Sequence, residues 1–405
     1  MILASRSLRW SVRTSAALLF GAAMSFAASA CSSGDDGAAT ALDEAEVVPP
    51  GALHVLGTSE SLARVQDVKA GAGDTVWVLN SADPFLIAFV VGGGPEPARA
   101  WGKRGGGPRE FVSPSTLGRG PDGRVWVYDQ GRHGLILASG SDEDWTEIAL
   151  PTDSLPRDRL IGSEQIGMIR PWIASRGRAF VFAVTSASEP AAPRFWKTNL
   201  VAVDPADPKP RVVFSTVERL GDPATRWSPL AILMPHPLWD ICVDDKIVAY
   251  DPLRNEIRRF HDGGDDGKPI PLPAERSVEV TPDRVFDIAY RDAIARFPSD
   301  NRPDSAEIRR QFDEQIQAMG AMFGSTFPEY ADLRCAANGE LWIQRFDIGT
   351  GPFGKGPVWL RIAPNGSTRA IRLPDGFTAH EFTRDRVWGV LRDALDVASI
   401  AWIDL

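Results

Sequence analysis

The residues of this 405-residue chain that could do chemistry are few, and three aspartates stand out. Asp67 lies in VQDVKA (65–70), Asp240 in WDICVD (239–244) and Asp332 in DLRCAA (332–337), each a short strand-like run. Carboxylates from separate strands can share a hard cation such as calcium if folding brings them within about 5 Å of one another. Such an ion would serve hydrolysis or elimination. No cofactor can be named from the sequence.

The other chemical candidates resolve into turns and isolated groups. The histidines are His54, His133, His236, His261 and His380. No two have metal-ligand spacing, and there is no H-E-x-x-H. His236, in MPHPLWD just before a first strand, is either a ligand contributed from a distance or a surface-loop residue. In GKRGGGP, Lys103 is followed by Arg104 instead of Ser or Thr and no helix opens, so this is a turn and not a phosphate loop. Arg104 and Arg109 are expected on its solvent face. In HDGGDDGK (261–268), Asp262, Asp265 and Asp266 lack calcium-loop spacing and read as a solvated turn. There is no G-x-S-x-G elbow. Cys242 and Cys335 have no neighbouring base to activate a thiolate. They read as small buried apolar residues, with pairing in an oxidising compartment as the alternative.

The N-terminus reads as an address. Arg6, Arg9 and Arg13 precede SAALLFGAAMSFA (15–27), which is too short to span a bilayer and suits a signal peptide over 1–30. Ala28-Ser29-Ala30-Cys31 resembles a bacterial lipobox, with Ala28 where Leu is usual. Acylation of Cys31 would anchor the chain to a membrane. Ser32 after it suggests, by resemblance to enterobacterial sorting, the outer membrane. Residues 31–50 are small, polar and acidic, as in a flexible tether. Net charge is −9 for the whole chain; residues 1–30 carry three arginines and no acid, leaving −12 for the rest. An acidic chain does not favour nucleic acid as a partner.

What must position the aspartates is a repeated unit. Six times a turn residue is followed three positions later by a large apolar one: Asp74 to Trp77, Gly123 to Trp126, Gly177 to Phe180, Asp245 to Val248, Gly339 to Trp342 and Asp385 to Trp388. Asp-Gly and Asn-Gly pairs accept the positive φ of a tight hairpin, and the runs after them alternate with β-branched and aromatic residues. Third strands follow, such as LIAFV (86–90), EIRRF (256–260) and WLRIA (359–363), then edge strands such as AIRL (370–373). The expected fold is all-β, a six-bladed β-propeller of four-stranded antiparallel blades over 51–405. The last copy lacks one strand, and ALHVLGT (52–58) is available to close it. A helical insertion is expected over about 282–329, with Ile308, Phe312, Ile316 and Met319 on one face. The once-per-blade aromatics should pack between sheets; Trp101, Trp145, Trp196 and Trp227 fall outside that register and are the candidates for a carbohydrate track.

The stretch GKRGGGPREFVSPSTLGRGPDGRVWVYD (102–129) resembles NHL-type and related bacterial six-bladed propellers, and GFTAHEFTRDRVWGVLRDALDVASIAWIDL resembles the closing blade of exported propellers. The resemblance implies the fold and leaves the task open, because propellers host unrelated functions. Some propellers of this architecture are metal-dependent lactonases or lyases with ligands converging on the central channel. With no catalytic set in the sequence, the reading favours a non-enzymatic, lipid-anchored binding or scaffold module of the cell envelope, whose partner is a protein or a glycan met near 282–329. The alternative is a metal-dependent hydrolase or lyase whose channel ligands are Asp67, Asp240 and Asp332.

Overall fold

A computed structural model describes residues 45–57, 64–120, 123–138, 146–149, 238–273 (apart from 253, 262 and 263), 327–346, 356–393 and 397–405, a few single positions besides, and the backbone of 166–170, 180–187, 195–204 and 207–219. The signal peptide, Cys31 and most of the expected tether lie outside the described residues. So do His236, Trp145 and Trp227.

In chain order the strands begin with β1 (Glu46–Val47) and β2 (Leu53–Gly57). The first sheet is β3 (Val65–Ala70), β4 (Thr75–Asn80), β5 (Leu86–Val90) and β6 (Arg99–Trp101). A small parallel pair follows, β7 (Lys103–Arg104) with β8 (Glu110–Phe111). The next sheet is β9 (Pro114–Arg119), β10 (Val125–Asp129), β11 (Gly134–Leu137) and β12 (Glu147–Ala149). Then come β13 (Ile166–Arg170), β14 (Phe180–Ala187), β15 (Phe195–Asp204) and β16 (Asp207–Arg219). After these are β17 (Trp239–Ile241), β18 (Ile247–Asp251) and β19 (Glu256–His261), with β20 (Gly264–Asp265) and β21 (Ile270–Pro271) both on β19. The next sheet holds β22 (Tyr330–Cys335), β23 (Leu341–Arg345), β24 (Val358–Ile362) and β25 (Thr368–Arg372). The last holds β26 (Phe377–Phe382), β27 (Arg386–Arg392) and β28 (Ala398–Asp404). These antiparallel meanders, packed on one another through their first strands where the contacts are described, are an all-β propeller.

The core sits between neighbouring sheets. Trp77, Trp126, Val248, Trp342 and Trp388, five of the six residues that mark the repeat, are buried. Trp77 packs with Phe111 of β8 and with Leu117 and Ile136 of the following four-stranded sheet. Val248 and Tyr250 pack with Leu333, Ile343 and Leu360. The turn chemistry also holds: Gly123 and Gly339 sit at φ 75° and 81° in their Asp-Gly and Asn-Gly turns, conformations that glycine adopts without strain. The strand-ending Asp129 is fully buried and caps a loop, accepting the N–H groups of Val112, Ser113 and Gly131 at 2.8–3.0 Å.

The closing strand forms as expected: β2 pairs antiparallel with β28, giving the order β2-β28-β27-β26. His54 stacks on Trp402 at 4.9 Å and meets Asp404 at 2.8 Å across that pairing.

One expectation needs correction, and two others fall partly outside the described residues. Side chains are described in five of the sheets of four or more strands; residues 166–219 are described by their strand pairing alone. The tether does not run to residue 50. β1 adds in parallel to the open edge of β25, Val48 N–H reaches Arg372 O at 3.1 Å, and Glu46 pairs with Arg369. The physical reason is that an edge strand leaves backbone groups unpaired, and a passing extended segment satisfies them. The expected helical insertion over 282–329 lies mostly outside the described residues; of the positions described in it, Asp283, Arg284, Phe286, Ala306, Arg309, Arg310 and Asp313 are helical. Among these, Arg309 bonds both Asp283 and Asp313 and lies 4.3 Å from the ring centre of Phe286.

Candidate functional site

The first strand of each sheet faces the middle of the molecule. β26 lies beside β3, β3 beside β9, β17 beside β22, and β22 beside β26. Side chains from these strands line a cavity of about 650 Å³, counting the solvent at its mouth. Asp67 and Lys69 come from β3, Arg119 from β9, Asp240 from β17, Arg334 from β22 and His380 from β26. Alternation along a strand sends residues two apart to the same side, which is why Asp67 and Lys69 share one charged surface, as do Asp332 and Arg334.

The structure puts Asp67, Asp240 and Arg334 on the wall of one cavity, with Asp332 paired to Arg334. Arg334 donates Nε–H to Asp332 Oδ2 at 2.7 Å. Burial alone would lower its pKa. The negative charges of Asp332, Asp240 and Asp67, in that order, outweigh burial and raise it. Arg334 thus supplies, from within the chain, the positive charge that a divalent ion would otherwise bring. The aspartate oxygens are also engaged by N–H and O–H donors. Asp67 accepts from its neighbour Val68 N–H and, on β9, from Leu117 N–H and Thr116 Oγ1, all at 2.9 Å. Asp240 accepts from Cys335 N–H at 2.8 Å, and Asp332 from Leu333 N–H at 2.8 Å. Among the described residues no three His, Cys, Asp or Glu side chains are grouped so as to hold a metal ion.

Asp67 is the most buried of these acids. Burial alone would raise its pKa. The charge of Lys69, the hydrogen bond and charge of His380, and the charge of Arg334 together hold the carboxyl well below the usual range. His380 Nδ1 stands 3.4 Å from Asp67 Oδ1. Opposite, Glu381 accepts Ala70 N–H at 2.8 Å and meets Arg119 Nη1 at 3.1 Å.

A pattern links these contacts. Asp67 reaches from β3 to β9, Asp240 from β17 to β22, and Glu381 from β26 to β3. In each case a carboxylate on one inner strand accepts a backbone N–H of the next. Hydrogen bonds to a charged acceptor are worth about 1.5–3 kcal/mol, so the channel acids act as staples between blades.

Cys242 and Cys335 form a disulfide with Cα atoms 5.1 Å apart, which corrects the reading of two unpaired apolar residues. They occupy equivalent places at the ends of the first strands of two neighbouring blades, and side-by-side packing of β17 and β22 brings them within bonding reach. Cys335 also lines the cavity.

Lys69, Arg119, Arg334 and Glu381 were not singled out from the sequence, although Lys69 and Arg334 sit inside the strand segments that carry Asp67 and Asp332. The i, i+2 spacing of Asp67 with Lys69 and of Asp332 with Arg334 was the available signal. Of the other candidates, Arg104 and Arg109 are exposed, as expected. His133 lies in a turn at φ 49° and His261 ends β19. Trp101 is half-buried against Phe111, 5.5 Å between ring centres, so it is no exposed sugar platform. Trp196 is described only in its backbone.

No family model matches the chain, and no curated protein matches it. Among solved structures, it is similar to a catalytically inactive virginiamycin B lyase from Staphylococcus aureus crystallised with quinupristin, at 10% identity and TM-score 0.41, over 87% of this chain and 99% of that one. It is similar also to regucalcin, a calcium-binding protein from Agrobacterium tumefaciens, at 14% identity and TM-score 0.40, over 89% and 96%. A third is YCF48 bound to D1 peptide, at 11% identity and TM-score 0.36, over 91% and 100%. Likeness at this level transfers neither residues nor activity.

Proposed function

We propose that this chain is an exported, lipid-anchored propeller of six NHL-like blades that serves as a binding or scaffold module for a protein or glycan of the cell envelope. The observation that carries the reading is the commitment of the channel carboxylates to neighbouring backbone N–H groups and to Arg334 and Arg119. Acids used in this way hold a ring together and leave its mouth as a surface for recognition. Residues 166–219 supply the sixth blade in this proposal, since β13 runs beside β9 as an inner strand should. The disulfide suits an oxidising compartment outside the cytoplasm. β1 joins the outer edge of its sheet, so a tether from Cys31 at the outer membrane would leave the channel open. In this proposal the partner is met at one mouth of the ring, near 282–329.

The test is crosslinking of the full chain in intact cells, beside a Cys31→Ala variant and a variant lacking 282–329. The expected result is one dominant partner, lost on deleting the insertion, and release of the Cys31→Ala protein from the membrane. Identical crosslinks with and without the insertion would remove the partner site from that mouth. The second reading, a metal-dependent hydrolase or lyase, draws on Asp67 and Asp240 lining one cavity; stoichiometric calcium or zinc in the dialysed full-length protein would favour it.

A further inference from the structure

The hydrogen-bonding capacity of the channel is unevenly used. Its acids are committed inward: Asp67 to three N–H and O–H donors, Asp240 to Cys335, Asp332 to Leu333 and Arg334, Glu381 to Ala70 and Arg119. Its bases are not. Lys69 is half-buried in the cavity wall, acts on Asp67 as a charge, and its ammonium has no hydrogen-bond partner among the described residues. Arg119 gives one nitrogen to Glu381 and keeps further N–H donors of its guanidinium. Ile241 and Phe382 add apolar wall beside them. The surface offered to a ligand is rich in unused donors, so it suits a ligand rich in acceptors.

We infer that the channel mouth takes a small anionic ligand by one carboxylate group, held by the Lys69 ammonium with Arg119 beside it. This rests on the binding-module reading and names the ligand's chemistry. A carboxylate is preferred over a phosphate because Asp67, Asp240, Asp332 and Glu381 stand around the site. Their field repels a dianion more than a monoanion at the same distance.

The experiment is isothermal titration calorimetry of the full-length protein with glucuronate, lactate and N-acetylglycine as carboxylate probes, glucose as the neutral counterpart of glucuronate, and inorganic phosphate. At least one carboxylate is expected to bind, with glucuronate favoured over glucose. Lys69→Met is expected to weaken that carboxylate about tenfold or more, the loss of one charge-assisted hydrogen bond; because Lys69 also faces Asp67, circular dichroism at the titration temperature checks that the variant is folded. Lys69→Arg should restore most of the affinity. The inference is overturned if no carboxylate binds, if phosphate binds more tightly than all three, or if Lys69→Met binds as the parent does. Should membrane crosslinks persist while every carboxylate fails, the ligand assignment falls and the binding-module reading stands.

Discussion

Two seams of the ring do the same job with different means. Between the β17 and β22 sheets, Asp240 accepts Cys335 N–H at 2.8 Å; between the β26 and β3 sheets, Glu381 accepts Ala70 N–H at 2.8 Å. The polar staple is shared, and the rest of each seam is not. The first is crossed by the Cys242–Cys335 disulfide, 93 residues apart in sequence, with the 282–329 segment inside the loop it closes. The second joins residues 311 apart and has no covalent link; the N-terminal strand β2 pairs with β28 instead, and its Leu56 enters a core with Val68, Val78, Trp388 and Ile400. A short carboxylate contact positions two strands without supplying the entropy of holding a long loop shut. A covalent bond supplies it at one seam, and an exchanged strand with its apolar burial supplies it at the other.

The comparison breaks most visibly at the disulfide. Closing a loop of about 94 residues is worth roughly 4–5 kcal/mol in the chain-entropy account. The Cys242→Ser, Cys335→Ser double variant should lose about that much in urea unfolding, and the parent should fall to the same midpoint when reduced. An unchanged midpoint would mean that the apolar core alone holds that seam. Next in size is Arg334→Met, which leaves Asp332, Asp240 and Asp67 without their shared cation. Removing one partner of a buried charged group costs about 3–5 kcal/mol, read in the same assay. Equal stability would show that the acids rest on their N–H donors alone. A smaller effect is expected at the other seam. Glu381→Gln keeps the shape and one acceptor oxygen but gives up the charge facing Arg119, and should cost about 1–2 kcal/mol.

The devices that hold these seams differ in how far the sequence announces them. Hairpin turns such as Asn338-Gly339 and the Trp77 and Trp342 registers are local, so periodicity and turn chemistry expose them. The exchange of β2 onto β28 was legible because one blade was a strand short. Asp67, Asp240 and Asp332 were also found, since acids in apolar strands are conspicuous. Their partner was not. Whether three distant carboxylates meet a metal or Arg334 depends on which side chains face one axis, a property of the closed ring and not of any one segment. The disulfide stood only as the alternative to two buried apolar cysteines for the same reason: Cys242 and Cys335 become neighbours only when β17 and β22 lie side by side. The pairing of β1 with β25 was hidden because a two-residue strand borrows its order from the edge it joins.

Acid sharpens the contrast in the gentlest way. Burial alone would make Asp67 harder to ionise, but Lys69, His380 and Arg334 hold its folded-state pKa below the ordinary carboxylate range. In the unfolded chain it titrates near 3.9, so around that pH the unfolded state binds more protons than the folded one. The stability that Asp67 contributes is complete above about pH 4 and is lost as pH falls further. Its ionised oxygens hold Leu117 N–H across the β3–β9 seam, which has no disulfide, whereas Cys335 N–H lies beside one. Amide exchange, corrected for its intrinsic pH dependence, should therefore accelerate at Leu117 before it does at Cys335 as the solution is acidified. Asp67→Asn should flatten the acid limb of the stability curve while leaving the reduction response of the β17–β22 seam intact. If that limb kept its slope in the variant, the acid sensitivity of the ring would arise from carboxylates other than Asp67, and the β3–β9 seam would not be the weaker of the two.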